Sequence, residues 1–402
     1  MIAPTNMSLD DVKRIIEKAG IVGAGGGGFP AHLKLDARCK TILLNCAECE
    51  PLWHTDQQLL ARFADEILYT LNQLAEILDA NAIVVVKKSY TATVSAVKKS
   101  ITPQLRERAV PNTDEVHIWN YQPRITLCEI GDFYPAGDEI VLIHEATGVV
   151  IPPGSLPIES GYIVFNVETV YNMHHALEHG LPVTHKWMTI TGEVQNPTTA
   201  HIPLGTTVEE VVKIAGGATV ANPSYITGAM MGSIVPPSYE ITKTTGGIIV
   251  LPVDHAKVRK PNVNASLNRI ASACCQCRTC TDMCPRAQLG YPLQPHRIMR
   301  ALSARNAALT VPNASDQAHH GMMYCSTCGV CETIACPQSL APRELIKKFK
   351  SALSSVIPEK CDPAAVSPAR RGRMVDATRL KIRLGLQKYD YSNNNQSSLF
   401  QD

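Results

Sequence analysis

Two cysteine runs near the end of this 402-residue chain limit what it can fold around: Cys274-x-x-Cys277-x-x-Cys280-x-x-x-Cys284-Pro285, then Cys325-x-x-Cys328-x-x-Cys331-x-x-x-x-Cys336-Pro337. Two residues between thiolates let one tight loop offer three sulfurs to three corners of a [4Fe–4S] cube, while the fourth cysteine, followed by proline, leaves the loop and ligates the other cube. The spacing therefore assigns Cys274, Cys277, Cys280 and Cys336 to one cluster, and Cys325, Cys328, Cys331 and Cys284 to the other. Cys275 falls out of phase and reads as a bystander. Soft thiolates also select zinc. Zinc ribbons, however, pair two separated C-x-x-C knuckles, whereas here three cysteines step evenly and a Cys-Pro follows. Iron–sulfur is the favoured reading, with paired zinc sites as the alternative.

Length allows two or three domains with proper cores. The net charge of +2 predicts no strong attraction to nucleic acid or a membrane surface. Of fourteen cysteines, eight are taken by the two runs; Cys39, Cys46, Cys49, Cys128, Cys275 and Cys361 show no disulfide-framework spacing, so a reducing cytosol is expected. Met1 to Asn6 lacks the apolar core of a signal peptide, and the run Ile83-Val84-Val85-Val86 stops at Lys87-Lys88, far short of a bilayer span. A cytoplasmic protein without transmembrane segments is expected.

Ser8 and Asp11 mark a helix start, with Val12, Ile15, Ile16 and Ala19 on one face and Gly20 at its end. A strand is expected at Thr41–Leu44, a helix over about 57–78 and a buried parallel strand at Ala82–Val86, so residues 1–185 read as an α/β domain. From Lys186 the texture changes to alternating strands, a short helix Val208–Ile214 closed by Gly216-Gly217, and a strand-turn-strand over Ile241–Val250; residues 186–255 read as a β-grasp-like module. A helical domain at 256–360 holds the cysteine runs, with a helix from His296 to Ala307. Residues 361–402 form a basic tail, read as a solvated face, whose polar end is expected to be disordered.

The remaining motif is Gly23-Ala24-Gly25-Gly26-Gly27-Gly28-Phe29-Pro30. It satisfies G-x-G-x-x-G, but follows a helix rather than a strand and runs into proline, so it is neither a dinucleotide fingerprint nor a P-loop. It does permit close backbone approach to something flat or anionic, with N–H groups exposed. A flexible hinge is the alternative.

Together, Gly20 to Lys34, Asn45-Cys46-Ala47-Glu48-Cys49-Glu50-Pro51, Tyr134-Pro135-Ala136-Gly137-Asp138-Glu139 and Asn166-Val167-Glu168-Thr169 resemble the flavin-binding elements of the NADH-oxidising subunit of respiratory complex I. Residues 186–255 resemble an SLBB (soluble-ligand-binding β-grasp) module. The cysteine region, Pro295 to Leu302 and Arg379 to Gly385 extend the resemblance to the family of PduS-type cobalamin reductases and RnfC-like subunits. It implies three parts: a complex I flavin-subunit-like α/β domain, the SLBB module and an α-helical two-[4Fe–4S] ferredoxin-like domain.

The resemblance further implies noncovalent FMN reduced by NADH and drained by the two clusters, with cobalamin as acceptor. Gly23, Gly25, Gly26, Gly27, Gly28 and Phe29 would abut the flavin, and Asn45, Asn166 and Thr169 would bond it. Lys34 would meet phosphate or nicotinamide. Glu50 and Glu139 would meet the ribose and amide of NADH, with Glu48, Gly137 and Asp138 in the same acidic elements. Implied partners are cobalamin or a cobalamin adenosyltransferase and a microcompartment shell protein, the setting a bacterial microcompartment; the alternative is an RnfC-like electron-transfer subunit serving membrane or shell partners. Some positions depart from the pattern. Val22 and Ala24 replace arginines, Ala37 replaces a stacking aromatic, Ala47 an acid, and Asp138 one of paired glutamates, so flavin binding is the firmer expectation than tight NADH binding.

Overall fold

The computed structural model describes residues 7–101, 107–109, 116–118, 124–228, 230–258, 263–304, 321–352, 358–391 and 400–401. The chain divides into two units, the first formed by 1–47, 55–131 and 157–184, the second by 48–54, 132–156 and 185–402. The first unit ends at residue 184. Two stretches inside the expected α/β domain, 48–54 and 132–156, instead belong to the second unit.

The first unit is a four-stranded parallel sheet, with β1 (Thr41–Cys46), β2 (Asn81–Lys87), β3 (Ile125–Ile130) and β4 (Tyr162–Asn166) in the order β3-β2-β1-β4. Ile42, Leu43 and Leu44, like Val84, Val85 and Val86, are consecutive and buried, as expected of parallel strands covered on both faces. Six helices accompany it: α1 (Leu9–Lys18), α2 (Ala31–Lys34), α3 (Thr55–Arg62), α4 (Ala64–Ile77), α5 (Thr91–Ile101) and α6 (Val167–His179). Ser8 and Asp11 form a reciprocal capping box on α1. The single helix expected over 57–78 is split at Phe63, whose φ of −115° leaves the helical region while its ring packs 5.0 Å from that of Tyr171.

The second unit contains the β-grasp module: β5 (His185–Gly192), β6 (Thr198–Pro203), α7 (Val208–Ile214), β7 (Pro223–Ile226), β8 (Ile234–Val235) and β9 (Gly247–Pro252). Its sheet runs β8-β7-β9-β5-β6, with strand Phe400–Gln401 on the β6 edge. Met188, Ile190, Val208, Val211, Ile248 and Val250 fill its core. The expected strand-turn-strand over 241–250 yields one strand only, because hydroxyls of Thr242 and Thr245 close a turn before β9.

Among the described residues six helices follow: α8 (Val263–Ala273), α9 (Thr279–Asp282), α10 (Pro285–Gln288), α11 (Pro295–Ala304), α12 (Val330–Thr333) and α13 (Pro342–Ala352). Ile270, Leu293, Ile298, Leu345 and Ile346 make their shared core. Residues 305–307 of the expected connecting helix lie outside the described residues. So does most of the terminal segment expected to be disordered.

The basic segment is not a solvated tail. Helix α14 (Ala377–Leu384), capped by Asp376 and ended by Gly385 at φ 68°, buries Leu380 and Leu384. Leu386 and Tyr389 join them in a core shared with Cys328 and Val330. Arg370, 6% exposed, pairs with Glu145 at 2.6 Å. Apolar residues interleaved with the cations, not net charge, decide where this segment goes. Among the described residues no helix is long and apolar enough to cross a membrane.

Candidate functional site

In the first unit the strand order reverses between β1 and β4, and ligands of such sheets bind outside the carboxyl ends of strands where the order reverses. Asn45 and Asn166 stand there in register on adjacent strands. Asn45 Oδ1 accepts from the Ala47 N–H at 3.0 Å. Asn166 caps α6, accepting from the Glu168 N–H at 3.0 Å, and donates through Nδ2 to Asp56 at 2.7 Å. Asp56, 5% exposed, is a site residue that sequence reasoning missed; only its place in the first turn of α3 hinted at it.

The glycine loop is tied to the same corner. Gly23 and Phe29 close it (Gly23 N to Phe29 O, 2.9 Å), and the Ala24 N–H donates to Thr169 Oγ1 at 3.0 Å. A Cβ on Gly25 would approach Asn166 Nδ2 to 3.2 Å, whereas one on Gly26 or Gly27 would meet no atom within 4 Å. Packing against the chain therefore does not explain these last two glycines. Gly26 needs its glycine for φ 104°, and the space above the loop suits a flat ligand. Phe29 is 49% exposed beside it. Lys34 donates to the Val164 carbonyl at 3.0 Å, which holds its ammonium along β4.

The remaining expected nucleotide residues belong to the second unit, where Glu50 and Asp138 are engaged by donors of the chain itself. Glu50, 3% exposed, accepts from the backbone N–H groups of Met230 and Met231, both at 2.9 Å. Its carboxylate anchors a β-grasp loop. Asp138 caps helix Glu139–Thr147 and pairs with Arg286 at 2.9 Å. Glu48 accepts from the Glu50 N–H at 3.1 Å. Gly137 donates to Cys49 Sγ at 3.2 Å, and Glu139 is half-buried in the helix's first turn.

The two cysteine loops share one backbone turn. Gln276 (φ 53°) and Arg278 (φ 64°) take left-handed conformations in the first, and Thr327 (φ 56°) and Gly329 (φ 82°) take them at the matching positions of the second. Three of these are not glycine, and a left-handed β-branched threonine is an outlier costing about 1–2 kcal/mol. Such alternation turns successive N–H groups inward, an arrangement that holds anions. Donors already point at sulfur: the Thr327 N–H to Cys325 Sγ at 3.3 Å, Thr279 Oγ1 to Cys277 Sγ at 3.3 Å and Gln276 Nε2 to Cys274 Sγ at 3.2 Å.

Electrostatic neighbourhood sorts the thiols. Burial pushes Cys280 up to about 12, and the thiols that add to the effect are Cys277, Cys274 and Cys336. Burial likewise raises Cys331 well above an ordinary thiol, helped by Cys328, Cys325 and Cys284. Each group thus holds three cysteines of one run and the last of the other. Cys284, Cys325, Cys328 and Cys331 line one pocket, part of it open to solvent, flanked by Arg286 and Arg343. Arg343, also missed from sequence, donates to Thr327 O at 2.8 Å and Met231 O at 3.1 Å. The thiols are gathered but not closed up: among the described residues no three His, Cys, Asp or Glu side chains form a finished metal shell. Four soft donors around a cavity with arginines beside it fit an anionic iron–sulfur cube.

The FMN-binding domain family of Nuo51 matches residues 16–175, the SLBB domain 188–232 and the 4Fe-4S dicluster domain 273–341. The chain is 36% identical over 384 residues to the cobalamin reductase PduS of Citrobacter freundii, covering 94% of this chain and 79% of that protein. To the cobalamin reductase PduS of Salmonella typhimurium it is 36% identical over 395 residues, covering 96% and 81%. A subunit of the Na(+)-translocating ferredoxin:NAD(+) oxidoreductase complex of Acetobacterium woodii is 28% identical over 288 residues, 70% of this chain and 59% of that one. Among solved structures, an NAD+-reducing [NiFe]-hydrogenase in the H2-reduced state aligns with a TM-score of 0.56 at 20% identity, over 88% of this chain and 63% of that one, a likeness of fold. With FMN-binding, SLBB and 4Fe-4S dicluster domains in one chain, and more than a third of its residues shared with two such enzymes over most of their length, this oxidoreductase belongs to the family of the cobalamin reductase PduS.

Proposed function

We propose that the chain oxidises NADH through FMN and two [4Fe–4S] clusters and delivers single electrons to cobalamin, reducing cob(III)alamin and cob(II)alamin to cob(I)alamin. The observation that carries the reading is that Cys284, from the first run, lines one pocket with Cys325, Cys328 and Cys331 of the second. When bound, FMN takes electrons in pairs and releases them singly, and each cluster carries one at a time.

The chain's own residues bind and orient. Gly23 to Phe29 offer N–H groups and open space to the flavin, while Asn45, Asn166 and Thr169 fix the loop and strand ends around it. Lys34 supplies positive charge on the same side of the sheet. Cys274, Cys277, Cys280 and Cys336 hold one cluster, and Cys325, Cys328, Cys331 and Cys284 the other. Buried thiols whose charged form is disfavoured become thiolates when a cation takes the charge, so loading releases protons. Glu50 and Asp138 hold the second unit together. Glu48 and Glu139 are the acids left for the nucleotide.

The identity to two cobalamin reductases favours cobalamin as acceptor and a microcompartment with a cobalamin adenosyltransferase as the setting. The likeness to a component of an ion-translocating complex supports a second reading, in which the electrons pass to a protein partner. Anaerobic absorption spectra of reconstituted protein test both. NADH should bleach flavin and iron–sulfur bands together, and added cob(II)alamin should restore them. Bleaching without reoxidation by cobalamin selects the second reading; colourless, zinc-loaded protein defeats both.

A further inference from the structure

Helix α6 carries the sequence His174-His175-Ala176-Leu177-Glu178-His179 in its last turns. Three imidazoles meet there: ring centres of His174 and His175 are 5.6 Å apart, His174 and His179 5.7 Å, and His175 and His179 5.6 Å. Helical spacing accounts for it, because His175 and His179 stand one turn apart on one face, and His174 and Glu178 one turn apart on the next. An equilateral triangle of rings is not what hydrophobic packing asks of a helix end.

Two polar atoms of this patch, His175 Nε2 and Glu178 Oε1, are buried with no hydrogen-bond partner among the described residues. Leaving such atoms unpaired is costly, and a missing ion is one standard reason for finding them so. His174, 8% exposed, is held through Nδ1 by Thr70 Oγ1 of α4 at 3.0 Å, which leaves Nε2 as its free ring nitrogen. A second-sphere partner of this kind fixes tautomer and orientation in metal-binding histidines.

We propose that His174, His175 and His179, with Glu178 as fourth donor, form a site for a divalent transition metal of the zinc type. Metal–nitrogen distances of about 2.0–2.1 Å place the centres of three tetrahedrally disposed imidazoles about 5.2 Å apart, so the rings need draw in by only about half an ångström. The donor atoms are not preset as a finished shell, and side-chain rotation closes it. The site is separate from the proposed cofactor ligands, and its occupant would brace the helix whose first turn carries Asn166 and Thr169.

The test uses enzyme loaded with its clusters and flavin, handled anaerobically and dialysed against zinc. Wild type should bind one equivalent more than His175→Gln/His179→Gln, with zinc-edge absorption showing imidazole nitrogen. Thr70→Val should weaken that equivalent about tenfold without abolishing it. His179 is exposed, so the single variant His179→Gln serves if the double variant folds poorly. Equal zinc uptake by wild type and variants, or a zinc shell of sulfur, overturns the proposal.

Discussion

The two cysteine loops are built on the same turn yet sit in different surroundings. Around the first, Cys277 is exposed and Cys274, Cys280 and Cys336 are partly exposed; around the second, Cys284, Cys328 and Cys331 are buried. The second loop lies in a core with Val330, Leu380, Leu384, Leu386 and Tyr389, and Tyr134 donates its hydroxyl to the Cys328 carbonyl at 2.6 Å. Backbone conformation alone therefore does not distinguish the two sites. Solvent exposure, sulfur hydrogen bonds and nearby charge tune a cluster's potential, so two chemically equal ligand sets become unequal through what covers them.

The proposed crossed ligand sets are the sharpest point at which to break this comparison. Cys284→Ser should lose about half of the iron, and Cys284→Ser/Cys325→Ser no more than that, because both remove the same cluster; Cys284→Ser/Cys274→Ser should lose nearly all. Iron and sulfide analysis decides it, and the reverse order, with nearly all iron lost in Cys284→Ser/Cys325→Ser and about half in Cys284→Ser/Cys274→Ser, would mean uncrossed sets. Cys275→Ser should lose none.

Next in size is the cover over the buried set. Leu380→Ala should destabilise the fold by about 2–5 kcal/mol, the usual range for a fully buried leucine. It should also narrow the difference in air sensitivity between the clusters, read as iron–sulfur bleaching in Cys284→Ser and Cys336→Ser backgrounds. An unchanged difference would mean that the C-terminal helix does not shield the second cluster.

On the flavin side, Gly26→Ala places a side chain on a backbone at φ 104°, a strain of about 1–2 kcal/mol. FMN affinity should fall about tenfold while iron content stays constant, as fluorescence titration and iron analysis would show; unchanged flavin affinity would reduce the loop to a hinge.

The smallest effect concerns what pins the C-terminal cover. Glu193 accepts from Lys388 Nζ at 2.8 Å and from the Tyr389 hydroxyl at 2.7 Å, and these bonds lower its pKa from 4.5 to about 2. Because the folded value lies below the unfolded one, the stabilisation is complete above about pH 4.5 and fades as pH falls toward 2. The gap in urea midpoint between wild type and Glu193→Gln should hold steady from pH 7 to 5 and shrink below. A gap that widens in acid would contradict the assignment.

Much of this was readable in residue order. Cysteine spacing is a local constraint, and the long apolar runs at β1 and β2 announce a covered parallel sheet. Asn45 and Asn166 could be named from pattern, but their register on adjacent strands could not. Glu50 and Asp138 show what residue order leaves open: a sequence reveals that an acid is present, not which donor reaches it first. Here the donors are backbone N–H groups and an arginine far along the chain. The basic C-terminal segment misled in the same way, since its cations outnumber the leucines that settle its position.

The amino-acid order alone determined the ligand chemistry, the glycine loop and the succession of domains, because each depends on residues close together in the chain. Tertiary structure decided which thiols are deep and which shallow, which acids are engaged by internal donors, and that His174, one of three histidines clustered on one helix, meets Thr70 of another. Burial and long-range hydrogen bonds belong to the packed chain, and residue order leaves them open until the backbone closes on itself.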